Sequence, residues 1–97
     1  MLNTESVTSE RQTILLVEDE VVIALGKKPL LEEQGYTFLH ATDSSSALNM
    51  IAQHPEISLV LMDMHLGYGP DGAETSRLIL EKRQLPIVFL TAYTDRK

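Results

Sequence analysis

The sequence has no cysteine, few cationic residues, and no apolar run longer than the five residues from Val21 to Leu25. Without cysteine there is neither a disulfide framework nor a thiolate metal site. A run of five falls far short of the roughly 20 apolar residues that span a bilayer. Eight Lys and Arg against 14 Asp and Glu leave a net charge of −6. The basic residues are scattered apart from the pairs Lys27-Lys28, Lys82-Arg83 and Arg96-Lys97. No basic stripe follows a phosphate backbone, which argues against direct nucleic-acid binding. The first twelve residues lack the basic start and apolar core of a signal peptide, so a cytoplasmic location is expected.

What remains is the composition of a soluble globular domain, 43% hydrophobic and 23% charged over 97 residues. A chain of this length holds one domain with a modest core, burying about two thirds of its unfolded surface. Residues 1–12 are polar and without period and read as a mobile tail, leaving 13–97 as the domain. Three apolar runs stand out. Leu59 to Met62 ends on Asp63, Ile14 to Val17 ends on Glu18 and Asp19, and Ile87 to Leu90 ends on Thr91. Four apolar residues in succession suit a strand buried on both faces, as in a parallel sheet covered by helices.

Helical patterns fall between these runs. From Glu20 to Gln34 the residues Val22, Ile23, Gly26, Pro29 and Leu30 share one face, and Gly35 stops the helix. Pro29 removes a backbone hydrogen bond there, predicting a kink, or a break near Gly26 to Pro29. Tyr36 to Ala41 reads as a strand. Thr42-Asp43-Ser44 then offers an N-cap to a helix with Ala47, Leu48, Ile51 and Ala52 on one side, ended by Pro55. Asp71 is an N-cap for a third helix with the inward stripe Ala73, Ser76, Ile79 and Leu80, and Pro86 introduces the fourth strand. Strand alternating with helix at short spacing predicts an α/β domain with right-handed crossovers and a parallel sheet.

In such a sheet ligands gather beyond the carboxyl ends of the strands, where strand order reverses. Glu18, Asp19, Asp63 and the Thr91 hydroxyl would share that rim. Three carboxylates a few ångströms apart repel one another unless protons or a cation enter. Oxygen ligands suit a hard ion, and Mg²⁺ favours one or two carboxylates, several waters and a phosphate oxygen. With a phosphate group present, Asp63 can attack phosphorus to form an acyl phosphate while metal, amides and hydroxyls take up the charge on the equatorial oxygens.

The segments I-L-L-V-E-D-E at 14–20, L-V-L-M-D-M-H-L-G at 59–67, D-G at 71–72 and P-I-V-F-L-T-A-Y at 86–93 resemble, in order and spacing, the receiver domain of two-component response regulators. The resemblance implies a flavodoxin-like three-layer αβα fold with strand order 2-1-3-4. It implies Asp63 as phosphoacceptor, Asp19 as direct Mg²⁺ ligand and Glu18 as a ligand through water. The His65 backbone carbonyl would be a further ligand, and Thr91 would bond and sense the phosphoryl group. It also implies a sensor histidine kinase or phosphotransfer protein as partner, while the charge pattern and short apolar runs argue against direct nucleic-acid or membrane contact.

The family pattern has five βα units, and the match here stops just after the fourth strand. The final family lysine and the aromatic partner of Thr91 have no counterpart, since Lys97 lies too near Thr91 in sequence and Tyr93 on the wrong segment. A C-terminally truncated receiver is expected, with a homodimer or swapped oligomer through the uncovered sheet as a consequence. Two other readings compete with the signalling one. A Mg²⁺-dependent phosphohydrolase would commonly carry an acid two residues after its nucleophile, where this chain has His65. A phosphorylation-impaired fragment would act only as an interaction module. The His65 side chain reads as a solvent-facing loop residue, His40 and His54 carry no partner pattern, and Lys82-Arg83 reads as a solvated helix face.

Overall fold

The computed structural model describes residues 11–67 and 69–90. Four strands, β1 (Thr13–Val17), β2 (Thr37–Ala41), β3 (Ile57–Asp63) and β4 (Ile87–Leu90), form one parallel sheet in the order β2-β1-β3-β4. Helices α1 (Val21–Glu33), α2 (Ser44–Gln53) and α3 (Gly72–Lys82) connect them. This is the expected α/β order. The connections run outward from β1 to β2 and then across to β3, so strand order reverses between β1 and β3.

All five residues of β1 are buried, as a strand covered on both faces requires. Leu15 and Val17 join Val60 and Met62 of β3, Ala47 and Ile51 of α2, and Ile79 of α3 in one core cluster. Ile14 and Leu16, also buried, alternate to the other face, where a right-handed β1-to-β2 crossover places α1.

Local chemistry sets the helix ends. The Asp43 carboxylate accepts from the Ser46 N–H (2.9 Å), and the Ser46 hydroxyl accepts from the Asp43 N–H (3.2 Å), a reciprocal capping box. Asp71 caps α3 by accepting from the Glu74 N–H at 3.0 Å. Gly35, at φ +93°, turns the chain out of α1.

Several expectations are corrected. In α1 the only buried residue is Ala24, with Lys27 and Leu31 half-buried on the same side, while Val22 is 81% exposed and Ile23, Gly26, Pro29 and Leu30 also face outward. The helix carries apolar residues on several sides, so periodicity did not single out the face the sheet would take. Nor does Pro29 break α1, which runs unbroken through it. Leu25, whose carbonyl loses its partner, is exposed, so water can replace the missing amide. In α3 the buried residues are Gly72, Thr75, Ser76 and Ile79, whereas Ala73 and Leu80 are exposed. In α2 the expected Ala47 and Ile51 are buried, but Ala52 is exposed.

Arg83 is not a solvated helix-face residue. Its guanidinium donates to the carbonyls of Ile51 (3.1 Å), His54 (3.2 Å), Pro55 (3.0 Å) and Ile57 (2.6 Å). It therefore ties the end of α2 to the start of β3. Arg83→Ala is expected to lower stability by roughly 2 kcal/mol, since several carbonyls lose a charged donor at once. Arg83→Lys recovers less than half of that, lacking the planar fork. Urea unfolding measures both, and an unchanged midpoint for Arg83→Ala contradicts the assignment.

Candidate functional site

β1 and β3 pair up to Val17 opposite Met62, so the next residues, Glu18 just past β1 and Asp63 at the end of β3, lie side by side at the carboxyl edge of the sheet. Glu18 and Asp63 are buried, at 6% and 7% exposure, and Asp19 is half-buried. One carboxylate oxygen from each of the three lies within 4.8 Å of the other two.

Backbone amides hold these carboxylates in place. The Glu20 N–H donates to Glu18 Oε2 (3.2 Å), the Gly67 N–H to Asp19 Oδ2 (3.0 Å) and the His65 N–H to Asp63 Oδ1 (3.1 Å). Glu18 is also fastened through its own backbone. Its N–H donates to the Ala41 carbonyl at 3.0 Å, and its carbonyl accepts from His40 Nε2 at 2.7 Å. Beyond β3, the Met64 N–H donates to the Leu90 carbonyl (3.4 Å) and the Met64 carbonyl accepts from the Gly72 N–H (3.2 Å). A Cβ on Gly72 would lie 2.9 Å from Met64 Cα and 3.0 Å from the Asp63 carbonyl carbon, and closer still to the Asp63 carbonyl oxygen. Only glycine lets the start of α3 sit this near the loop carrying the third carboxylate.

Burial, and after it the neighbouring Asp63 charge, pushes the Glu18 carboxyl up to about 7, against the opposing pull of the Glu20 amide. Such a group contributes its stability fully below the ordinary carboxyl range near 4.5 and loses it as pH rises through about 7. The ion-free protein is therefore expected to unfold at lower urea at about pH 8 than at about pH 6, with saturating Mg²⁺ closing the gap. A midpoint that rises over that interval without divalent ion contradicts this reading.

Three crowded carboxylates with no cation among their partners in the described residues are a donor set of the kind a hard divalent ion takes, so these residues fit Mg²⁺. Asp63 also has a carboxylate oxygen that accepts from a backbone N–H, an arrangement suited to a nucleophile whose incoming group carries negative charge.

Glu18, Asp19 and Asp63 are thus brought together. The His65 side chain is exposed, as expected of a loop residue, while its amide faces Asp63. Thr91, with Tyr93 and Lys97, lies outside the described residues. Some features escaped the sequence reading. Gly72 had a signal, since glycine directly after an N-cap is a poor helix former and asks for a steric reason. His40, read as partnerless, gave none, because its partner is 22 residues away. His54 likewise has a partner, Glu56, at 3.0 Å on the surface. No helix among the described residues is long and apolar enough to cross a membrane.

The family model described as the response regulator receiver domain matches residues 14–97. The chain is 30% identical over 84 residues to the phyllosphere-induced regulator PhyR of Methylorubrum extorquens, covering 86% of this chain and 32% of that protein. It is 35% identical over 78 residues to the aerobic respiration control protein ArcA of Escherichia coli, covering 80% and 32% respectively. Among solved structures, the N-terminal domain of a response regulator/sensory box/GGDEF 3-domain protein from Carboxydothermus hydrogenoformans superposes with a TM-score of 0.81. That match is 36% identical and covers 88% of this chain and 68% of that one. The chain spans about a third of the length of these two curated relatives.

Proposed function

This chain belongs to the response regulator receiver domain family, and on that premise we propose that it accepts a phosphoryl group on Asp63 from a histidine kinase or phosphotransfer protein, with Mg²⁺ held by Glu18, Asp19 and Asp63. The observation that supports it best is the approach of three ligand oxygens from β1 and β3 to within 4.8 Å at the switch point of the sheet.

An Asp63 carboxylate oxygen forms the new bond to phosphorus as the phosphorus–nitrogen bond to the donor imidazole breaks, with the bonding pair passing to that nitrogen. The product is an acyl phosphate, and later attack by water restores Asp63. Mg²⁺, when bound, would offset the negative charge of the carboxylates and of the phosphoryl oxygens. The His65 N–H, already on Asp63 Oδ1, is placed to stabilise charge beside the nucleophile. The His65 carbonyl is assigned to the ion and the Thr91 hydroxyl to the phosphoryl group, as the family resemblance suggests. A donor reaching Asp63 must lie over this rim, where Val21 and Val22, exposed at 50% and 81%, offer apolar contact at the start of α1.

No turnover of a substrate is proposed, and the matched relatives carry the names of regulators. A phosphohydrolase reading is disfavoured by His65, which puts an exposed imidazole where such enzymes commonly carry a general acid. Incubation with Mg²⁺ and a small-molecule phosphodonor, followed by intact mass measurement, tests the proposal. One added phosphoryl group per chain is expected. Rapid continuous phosphate release with no adduct accumulating would favour the hydrolase, and neither adduct nor release would favour an interaction module with an impaired pocket.

A further inference from the structure

We infer that His40, on β2, is a positioning residue for the acid pair, holding the Glu18–Asp19 peptide so that both carboxylates are directed at one ion. The inference rests on the proposed Mg²⁺ role of Glu18, Asp19 and Asp63. Its own observation is the 2.7 Å bond between His40 Nε2 and the Glu18 carbonyl. A carbonyl oxygen only accepts, so Nε2 carries the proton and donates.

β1 ends at Val17 and α1 begins at Val21. The chain must turn within those few residues while presenting two adjacent acids. The Glu18 N–H still belongs to the sheet through Ala41, but its carbonyl has left the ladder. Among the described residues, His40 is the side chain that takes up this carbonyl. One peptide plane joins Glu18 to Asp19, so fixing it constrains the direction of both side chains. His40 is itself half-buried on the edge strand, two residues along from Phe38, with ring centroids 6.4 Å apart. The tether thus rises from a braced side chain. Without it, water can satisfy the carbonyl and the peptide gains rotational freedom that a bound cation must then remove.

The test compares His40→Leu, which keeps apolar packing but no donor, with His40→Gln, whose side-chain amide donates at similar reach. Mg²⁺ is titrated calorimetrically, and each variant is also melted without divalent ion. His40→Leu is expected to bind Mg²⁺ about tenfold more weakly, the low end for partners that orient metal ligands, while His40→Gln stays within about threefold of the parent. The two variants are expected to melt alike without ion. A purely structural histidine predicts instead that affinity follows melting temperature and that glutamine rescues nothing. Parent-like affinity in His40→Leu, or equal losses in both variants, overturns the inference. Failure of the parent protein to bind Mg²⁺ overturns it together with the reading it rests on, whereas a parent that binds Mg²⁺ keeps the two questions apart.

Discussion

Asp63→Asn is expected to abolish phosphoryl uptake from a small-molecule donor and yet to make the ion-free protein more stable near neutral pH. The first effect follows because an amide is not a nucleophile toward phosphorus. The second follows from the crowding at the rim. Glu18 titrates high because of its burial and then because of the Asp63 charge, so removing that charge relieves a repulsion the folded state sustains. Mg²⁺ affinity should fall by about tenfold or more, since a ligand is weakened and an anion lost. Intact mass after phosphodonor treatment, urea midpoints without divalent ion and a Mg²⁺ titration read the three effects. A phosphoryl adduct that survives the substitution would move the acceptor to another residue, Glu18 and Asp19 being the carboxylates that share the rim.

The second large effect concerns Gly72, which carries no charge and touches no ligand. Gly72→Ala is expected to destabilise the protein by about 3 kcal/mol, the upper part of the range for overpacking, because the added carbon meets backbone atoms of Asp63 and Met64 that cannot turn aside. The only relief is a shift of the start of α3 or of the loop after β3. Asp63 would move with that loop, so Mg²⁺ affinity should fall in parallel. Gly26→Ala in α1 is the internal control, since a Cβ there meets nothing within 4 Å and the backbone is helical. That substitution should stabilise by about 0.5–1 kcal/mol. Urea unfolding of the two variants gives shifts of opposite sign if this reading holds. A neutral Gly72→Ala would mean that α3 does not sit against the Asp63 loop.

The same contrast explains which features could be read from the chain. The strands were legible because a parallel sheet demands unbroken apolar runs, but burial on both faces holds only for Ile14 to Val17: Leu59 and Leu61 are half-buried, and Val88 and Phe89 of β4 are exposed. Asp43 and Asp71 were legible as caps because their partners lie three residues ahead. The acids that meet at the rim were legible because each ends such a run, although strand order, which makes β1 and β3 neighbours, came from the family resemblance. The inward face of α1 was not, because Val21, Val22, Ile23, Leu25 and Leu30 spread apolar surface around the helix and the sheet chose Ala24. Pro29 argued for a kink or a break, and α1 does not break there, since the orphaned carbonyl is on the solvent side. Arg83 and His40 bond to carbonyls 22 to 32 residues away, and contacts of that range leave no local pattern. Gly72 sits between these cases: its identity was visible, and its reason depended on the path of a distant backbone.

The claim beneath all of this is that the ends of β1 and β3 share one divalent cation. Crystals grown with Mn²⁺, which takes carboxylate and water ligands like Mg²⁺ and is located by its anomalous scattering, test it directly. The expected result is one peak about 2 Å from carboxylate oxygens of Asp19 and Asp63, with Glu18 close enough to act directly or through one water. A peak held by only one of these acids, or found instead among surface carboxylates such as Glu74 and Glu81, would contradict it.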